Sequence, residues 1–359
     1  MPSMIGLFSA KADLNENGLL QKMGLYAGES DIRYRFQSEG IDIAILSNIK
    51  WPAEDPYACN SSQKVEIVLF GECYNTNIER DQIYRSAGVE VKKNTDAELV
   101  LAAFLSRDKD NLARLNGQYY AVISEKKSGN FFVLMDRYGV SRLYYTFVPD
   151  GLAISGKVRS FLAMPDFVTE PNIEGFHSQL KFGFLMAQES MLKNVNLFPN
   201  ATLTEYSDGK LKFHKYWDVP QQVDPSNFLN EEESVEELSI LMRNGLKKMR
   251  RGDYREGFQL SGGLDSRVIL SSTDPEEREF LTLTFGLPEC YDIRIAKMIT
   301  SKLRVDHKVF PLDWDVIENN AHQTIWDSDG EGSILLADTL YFSQGEEKEA
   351  QPPVAEKAV

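Results

Sequence analysis

In the first half of the chain, apolar residues fall in short runs broken by turn residues. The run KVEIVLFG at 64–71 is rich in Val and Ile and predicts a strand. Residues 95–106 place Leu99, Val100, Ala103 and Phe104 on one helical face, and Asp96 stands where it would cap that helix. Strands are predicted at 118–125, 130–136 and 142–147, with KKSGN at 126–130 suited to a hairpin connection. Short strands with two helices among them predict an α+β domain of stacked antiparallel sheets.

The pattern changes after Tyr216 and Trp217. Residues 218–227 (DVPQQVDPSN) read as a linker. A long helix is predicted over 228–251, with Val235, Leu238, Leu241, Met242, Leu246 and Met249 at helical spacing. Glu231, Glu232 and Glu233 open it and the basic cluster at 247–251 closes it, the order a helix dipole favours. Strand and helix then alternate: strand 257–260, helix 267–272, strand 279–285, helix 291–303 with Ile293, Ala296, Ile299 and Leu303 inward, strand 307–312. That alternation predicts an α/β domain with a parallel sheet. Residues 343–359 are acidic, contain proline and have almost no large apolar side chain, which predicts a disordered tail.

A length of 359 residues suits two domains. The 39 basic and 54 acidic side chains leave a net charge of -15, which disfavours nucleic acid and anionic membrane as partners. No apolar run approaches the ~18 residues of a membrane helix. The apolar run at 4–8 has no basic residue before it, so no secretory signal is expected. Cys59, Cys73 and Cys290 form no CxxC pair, which points to a reducing cytoplasm rather than a disulfide framework or a zinc ribbon. His177, His214, His307 and His322 are scattered and suggest no metal site.

The chemistry-bearing segment is FQLSGGLDS at 258–266. A hydrophobic strand runs into Ser261, Gly262 and Gly263, and a helix starts near Asp265. Ligands of parallel sheets sit at the carboxyl ends of the strands. Two glycines let backbone approach a phosphate, and successive N–H groups with a helix N-terminus direct positive dipole at it. Ser261 and Ser266 add hydroxyl donors. A carboxylate repels a phosphate unless a cation bridges them, and Mg²⁺ on Asp265 would resolve that conflict. The same residues also make a glycine turn with a capping Asp, which needs no ligand. The loop is neither a Walker A nor a GxGxxG motif.

This loop resembles the pyrophosphate-binding loop of N-type ATP pyrophosphatases. The long helix before it, the strand ending Thr284, Phe285 and Gly286, and the helix from Asp292 resemble the synthetase domain of the asparagine synthetase family. The first half is similar to the same family independently. GECYN at 71–75 is similar to GEIYN, TDAE at 95–98 to TDxE, and NLARLNGQY at 111–119 to LxxLNGxF. DRYGVSRLYY at 136–145 is similar to DRxGxxPLYY, AISGKVRSFL at 153–162 to the SExKxL strand, and Tyr216 with Trp217 to the closing YW. These matches run in order over roughly 300 residues.

The resemblance implies an Ntn-hydrolase-like glutamine amidotransferase domain over 1–218 and a PP-loop ATP pyrophosphatase domain over 226–342. With ATP and Mg²⁺, such a domain adenylates a small-molecule or peptide carboxylate. A nitrogen nucleophile then forms an amide and releases AMP; pyrophosphate leaves in the first step. Ser261, Gly262, Gly263, Asp265 and Ser266 would hold pyrophosphate and metal, and Leu260 and Phe285 would flank the adenine.

Two departures qualify the match. The register of the family's MCGIF start puts Ile5 at the nucleophilic cysteine, and Phe70 replaces the glutamine-binding asparagine. Glu72 and Asp96 remain, readable as a buried sheet carboxylate and a helix cap, and Cys73 reads as a packed core thiol. The expectation is therefore no glutaminase activity. Relatives also continue past this chain with a GxGxDE segment and a lysine, so the expectation is that the gene is truncated, that a partner chain completes the synthetase domain, or that the active site is incomplete. DSDGEGSI at 327–334 carries Ile334 where an acid belongs; Asp327, Asp329 and Glu331 are either Mg²⁺ candidates or a polar turn before a helix at 334–340. Two functions follow: an ATP-dependent amide-forming ligase without glutamine hydrolysis, or a catalytically degenerate member that binds nucleotide or a partner. A sulfur-transferring enzyme acting on tRNA would need paired cysteines and a basic surface, and the chain has neither.

Overall fold

Strands buried on both faces carry near-continuous apolar runs, and several strands of the first half are of this kind. The computed structural model describes residues 3–9, 18–28, 32–38, 40–46, 55–60, 62, 64–90, 92–149, 151–219, 228–250, 256–273 and 280–332. The chain divides into two units, 1–222 and 223–359.

In the first unit the elements run β1 (Ser3–Ser9), α1 (Leu19–Ala27), β2 (Ile32–Ser38), β3 (Ile41–Leu46), β4 (Tyr57–Asn60) and β5 (Val65–Cys73). There follow α2 (Asn77–Ala87), α3 (Asp96–Leu105), α4 (Lys109–Arg114), β6 (Gly117–Glu125), β7 (Asn130–Met135), β8 (Tyr144–Val148) and β9 (Gly151–Ser155). A 3-10 helix (Val158–Ala163), α5 (Ile173–Phe182), β10 (Asn196–Leu197), β11 (Thr202–Ser207) and β12 (Lys210–Lys215) complete the unit. Two six-stranded sheets result, ordered β10-β8-β9-β1-β3-β2 and β12-β11-β7-β6-β5-β4. All their pairings are antiparallel.

Three apolar clusters separate four layers. Met4, Phe8, Ile43 and Ile45 of one sheet meet Val68, Phe70, Tyr120 and Val122 of the other. Outside the second sheet, Ile67 and Leu69 pack on Ile83 of α2 and on α3 through Leu99, Val100 and Ala103. Outside the first, Ile5, Leu7 and Ala44 pack on Leu20 and Met23 of α1 and on Phe161. The period-2 alternation of β1 and β5 thus sends successive side chains into different cores.

The strands predicted at 64–71, 118–125, 130–136 and 142–147 correspond to β5, β6, β7 and β8, while β1 to β4 have no predicted counterpart and the helices outnumber the expected two. The N-cap of α1 is Gly18, which makes no side-chain cap bond, so this helix carries no capping side chain to read in the sequence. α2 has a Thr76–Glu79 capping box, and α4 and α5 are capped by Asp108 and Asn172. The cap of α3 is Thr95, whose side chain accepts from the Glu98 amide at 3.3 Å. Asp96 is therefore not the cap; its carboxylate is engaged elsewhere.

Gly71 has φ +113°, and a Cβ there would lie 2.0 Å from the Gln118 carbonyl oxygen. At Gly117 on the facing strand, a Cβ would lie 2.2 Å from the Glu72 carbonyl oxygen. The backbones of β5 and β6 approach too closely for a side chain at either position.

The second unit contains α6 (Glu231–Met249), β13 (Glu256–Gln259), α7 (Leu264–Ser271), β14 (Phe280–Gly286), α8 (Tyr291–Leu303), β15 (Asp306–Pro311) and α9 (Trp314–Asp327). Its three strands are parallel in the order β13-β14-β15. Leu260, Leu270, Phe280 and Ala296 form one small core, and Leu281 and Leu283 another. α6 opens with an Asn230–Glu233 capping box and has no buried residue; Val235, Leu238, Leu241 and Met249 are exposed. Leu303, expected inward, is also exposed, at the last turn of α8. α9 has no counterpart among the predicted elements; it ends at Asp327 and leaves Asp329 and Glu331 in the segment that follows. The predicted helix at 334–340, the tail at 343–359 and most of the linker lie outside the described residues.

Candidate functional site

β13 leads through Leu260 into the SGGLDS loop. The Leu260 amide donates to the Leu283 carbonyl at 2.7 Å, and the Thr284 hydroxyl donates to the Leu260 carbonyl. These bonds anchor the strand's carboxyl end to β14. Beyond it the Ser261 amide donates to Ser266 Oγ at 3.0 Å, the two serine hydroxyls lie 3.0 Å apart, and the Gly263 amide donates to Ser261 Oγ at 3.1 Å. The serines thus brace the loop as well as offering hydroxyls at its surface.

Gly263 is the N-cap of α7 and contributes no side-chain bond. The first amides of a helix have no partner inside it, so those of Leu264 and Asp265 carry the positive end of the α7 dipole. Asp265 lies exposed in this first turn. Loop, amides and hydroxyls form a cradle suited to a phosphate, with Asp265 as the group on which a bridging cation would sit. Among the described residues, no three His, Cys, Asp or Glu side chains cluster as a metal site, and Asp327, Asp329 and Glu331 form none.

Three details add to the sequence reading. Gly262 carries a structural constraint of its own: a Cβ there would lie 2.8 Å from both Asp292 Oδ1 and Tyr291 Cδ1, so this glycine is required by α8. Leu260 is buried with Leu270 and Phe280, while Phe285 packs on Leu281 and Leu283, in a separate cluster. Arg267, which sequence reasoning passed over, donates Nε–H to the Gly263 carbonyl at 2.9 Å and places a guanidinium beside the loop. Its helical spacing of four from Gly263 was the available signal.

The residues tied by resemblance to glutamine chemistry are differently placed. Ile5 is fully buried in the cluster that β1 shares with α1. Phe70 stacks on Tyr120 with ring centroids 4.6 Å apart and planes 7° from parallel. Asp96 accepts from Arg80 Nη1 at 2.7 Å and from the Cys73 amide at 2.9 Å. Arg80 also donates to the Asn94 side chain and carbonyl. Burial works against the Arg80 charge, but the Asp96 hydrogen bond and charge outweigh it and leave the pKa raised. Glu72 is half-buried on β5, not the buried carboxylate expected, and Cys73 is buried in the core.

Residues 43–217 match the glutamine amidotransferase domain model, and residues 237–346 match the asparagine synthase model. A putative glutamine-hydrolysing asparagine synthetase 2 of Methanocaldococcus jannaschii is 27% identical over 76% of this chain and 47% of its own length. Asparagine synthetase 1 of Bacillus subtilis, also named glutamine-hydrolysing, is 23% identical over 79% of this chain and 44% of its own. The chain thus spans about half the length of the curated relatives it matches. A solved glutamine phosphoribosylpyrophosphate amidotransferase of B. subtilis covers 88% of this chain and 70% of its own at 9% identity, with a TM-score of 0.40. Two domain models matched in sequence order, with named relatives aligned across both, make the chain a member of the asparagine synthetase family.

Proposed function

We propose that the chain is an ATP-dependent carbon–nitrogen ligase that adenylates a carboxylate and forms an amide, without hydrolysing glutamine. The observation that carries this reading is the SGGLDS loop at the carboxyl end of β13, with its serine brace and the uncapped first turn of α7. ATP is a substrate here and brings Mg²⁺ with it. The Leu264 and Asp265 amides and the Ser261 and Ser266 hydroxyls would hold the pyrophosphate portion, and Asp265 the cation. A carboxylate oxygen attacks the α-phosphorus and pyrophosphate leaves. The nitrogen of ammonia or an amine then attacks the acyl carbon, loses a proton and expels AMP. The cation and amides stabilise charge that builds on the departing pyrophosphate.

The absence of glutamine hydrolysis is supported by Ile5, Phe70 and Asp96, each already committed to packing or to an internal ion pair. We further infer a small-molecule or peptide carboxylate as substrate, neither nucleic acid nor membrane as partner, and a cytoplasmic setting. Among the described residues no helix is long and apolar enough to cross a membrane.

A second reading has its own support: the exposed apolar face of α6 and the three-stranded sheet suit a unit completed by a partner chain, or a module that binds nucleotide without turnover. Calorimetry of Mg·ATP with the protein and with Asp265→Ala tests the loop. Binding that the variant loses is the expected result, and absence of binding to the unaltered protein rejects the ligase reading for this chain alone. AMP release on a carboxylate panel then separates ligase from binding module.

A further inference from the structure

We propose that Asp292 is a positioning residue of the 261–266 loop: its carboxylate fixes the Gly262 amide and thereby sets how the remaining donors face an anion. This rests on the pyrophosphate reading of the loop given above.

The Gly262 amide donates to Asp292 Oδ1 at 2.7 Å across 30 residues of sequence. The bond is tertiary and ties the strand-to-helix loop after β13 to the first turn of α8. Gly262 is buried, whereas Gly263, Leu264 and Asp265 are exposed. The same Oδ1 and the Tyr291 ring close over the Gly262 Cα so tightly that no Cβ fits. A bond from a backbone amide to a carboxylate is charge-assisted and stronger than a neutral one.

In a phosphate-cradling loop the backbone amides are the donors, and a carboxylate on one of them occupies the place of an oxyanion. Gly262 is therefore spoken for. An incoming phosphate is left with the Leu264 and Asp265 amides and the hydroxyls of Ser261 and Ser266. A carboxylate near a phosphate also repels it, so on charge alone Asp292 opposes binding. Its place in the loop is explained by orientation: it holds Gly262 down against α8, and Gly263 and the start of α7 are turned outward as a consequence. Asparagine in its place keeps the accepting oxygen and removes the charge, which separates the two effects.

The experiment compares Asp292→Asn and Asp292→Ala in the full chain, with Mg·ATP affinity by calorimetry and Gly262 amide exchange by NMR without nucleotide. Asp292→Asn is expected to bind at least as tightly as the unaltered protein and to keep the amide protected. Asp292→Ala is expected to weaken binding about tenfold or more, the scale of one charge-assisted hydrogen bond, and to release the amide. Its melting should match that of the Asn variant. Should the Ala variant fail to fold, Asp292→Ser, whose hydroxyl is too short to span the gap, replaces it. Equal or tighter binding by the Ala or Ser variant overturns the proposal, as does unchanged exchange at Gly262. If the unaltered protein binds no Mg·ATP, the pyrophosphate reading fails, and the exchange measurement still decides whether Asp292 fixes the loop.

Discussion

Arg80 Nη1 lies 2.7 Å from Asp96 Oδ1, with both side chains almost fully buried. Removing one partner of such a pair strands the other charge in the core. Asp96→Ala is therefore expected to cost about 3–5 kcal/mol of stability, measured by urea unfolding. A loss within experimental error would mean that Asp96 is not structurally committed.

Glutamine is expected to yield no ammonia with the purified protein, and Ile5→Cys is expected not to change this. Position 5 faces the closed cluster beside α1, and Phe70 and Tyr120 fill the space between the sheets next to Gly71. Steady ammonia release by either protein, followed in a coupled assay, would contradict the assignment.

Arg267 holds one bond to the Gly263 carbonyl through Nε, and its guanidinium carries four further N–H donors. Arg267→Ala is expected to weaken Mg·ATP binding by about tenfold, the scale of one charged hydrogen bond, and to flatten its salt dependence. Binding that is unchanged at low salt would leave this arginine only its bond to the Gly263 carbonyl.

The Thr282 hydroxyl donates to the Asp306 carbonyl at 2.8 Å and lies 3.0 Å from His307 Nδ1. A hydroxyl has one proton, so Nδ1 carries the imidazole proton and donates to Thr282. His307 Nε2 is buried without a partner among the described residues. Burial, with a smaller contribution from the Lys297 charge, holds the His307 pKa below its ordinary 6.5 despite the raising effect of a hydrogen bond with the Thr282 backbone. The unfolded chain then takes up the proton first as pH falls. This contribution to stability is present above 6.5 and is lost as pH drops through the lower folded value. Urea midpoints from about pH 5 to about pH 8 should rise more steeply for the unaltered protein than for His307→Gln. Parallel curves would remove His307 from the account.

Gly71→Ala is expected to cost about 3 kcal/mol or more, because it combines backbone strain with a steric clash. The readout is loss of soluble folded protein or a lowered melting temperature. Near-normal melting would show that β5 and β6 can separate locally.

The central strands of the second sheet are legible because their apolar runs are long and β-rich, and the predicted 64–71 falls in β5 apart from Lys64. Boundaries and caps were less so. Thr95 and Asp96 are both good capping residues in adjacent positions, and only the buried Arg80 decides which carboxyl or hydroxyl serves the helix. α1 and α9 lacked, respectively, a capping side chain and a strong apolar stripe with few buried positions. At the loop, SGGLDS announced itself, but the reason for Gly262 did not. Its determinant, Asp292, stands 30 positions later, and no local pattern connects them. The exposure of α6 was hidden for a related reason: helical spacing identifies an apolar face without saying what covers it.

The stacking of Phe70 on Tyr120 closes position 70 to a polar side chain. An asparagine there would bring an amide into a layer built of Met4, Ile43, Val68 and Val122. Its donors and acceptor would have no guaranteed partners, and that cost falls on folding before any ligand is gained. The core itself thus acts as a filter on the chemistry that the domain can carry at this position.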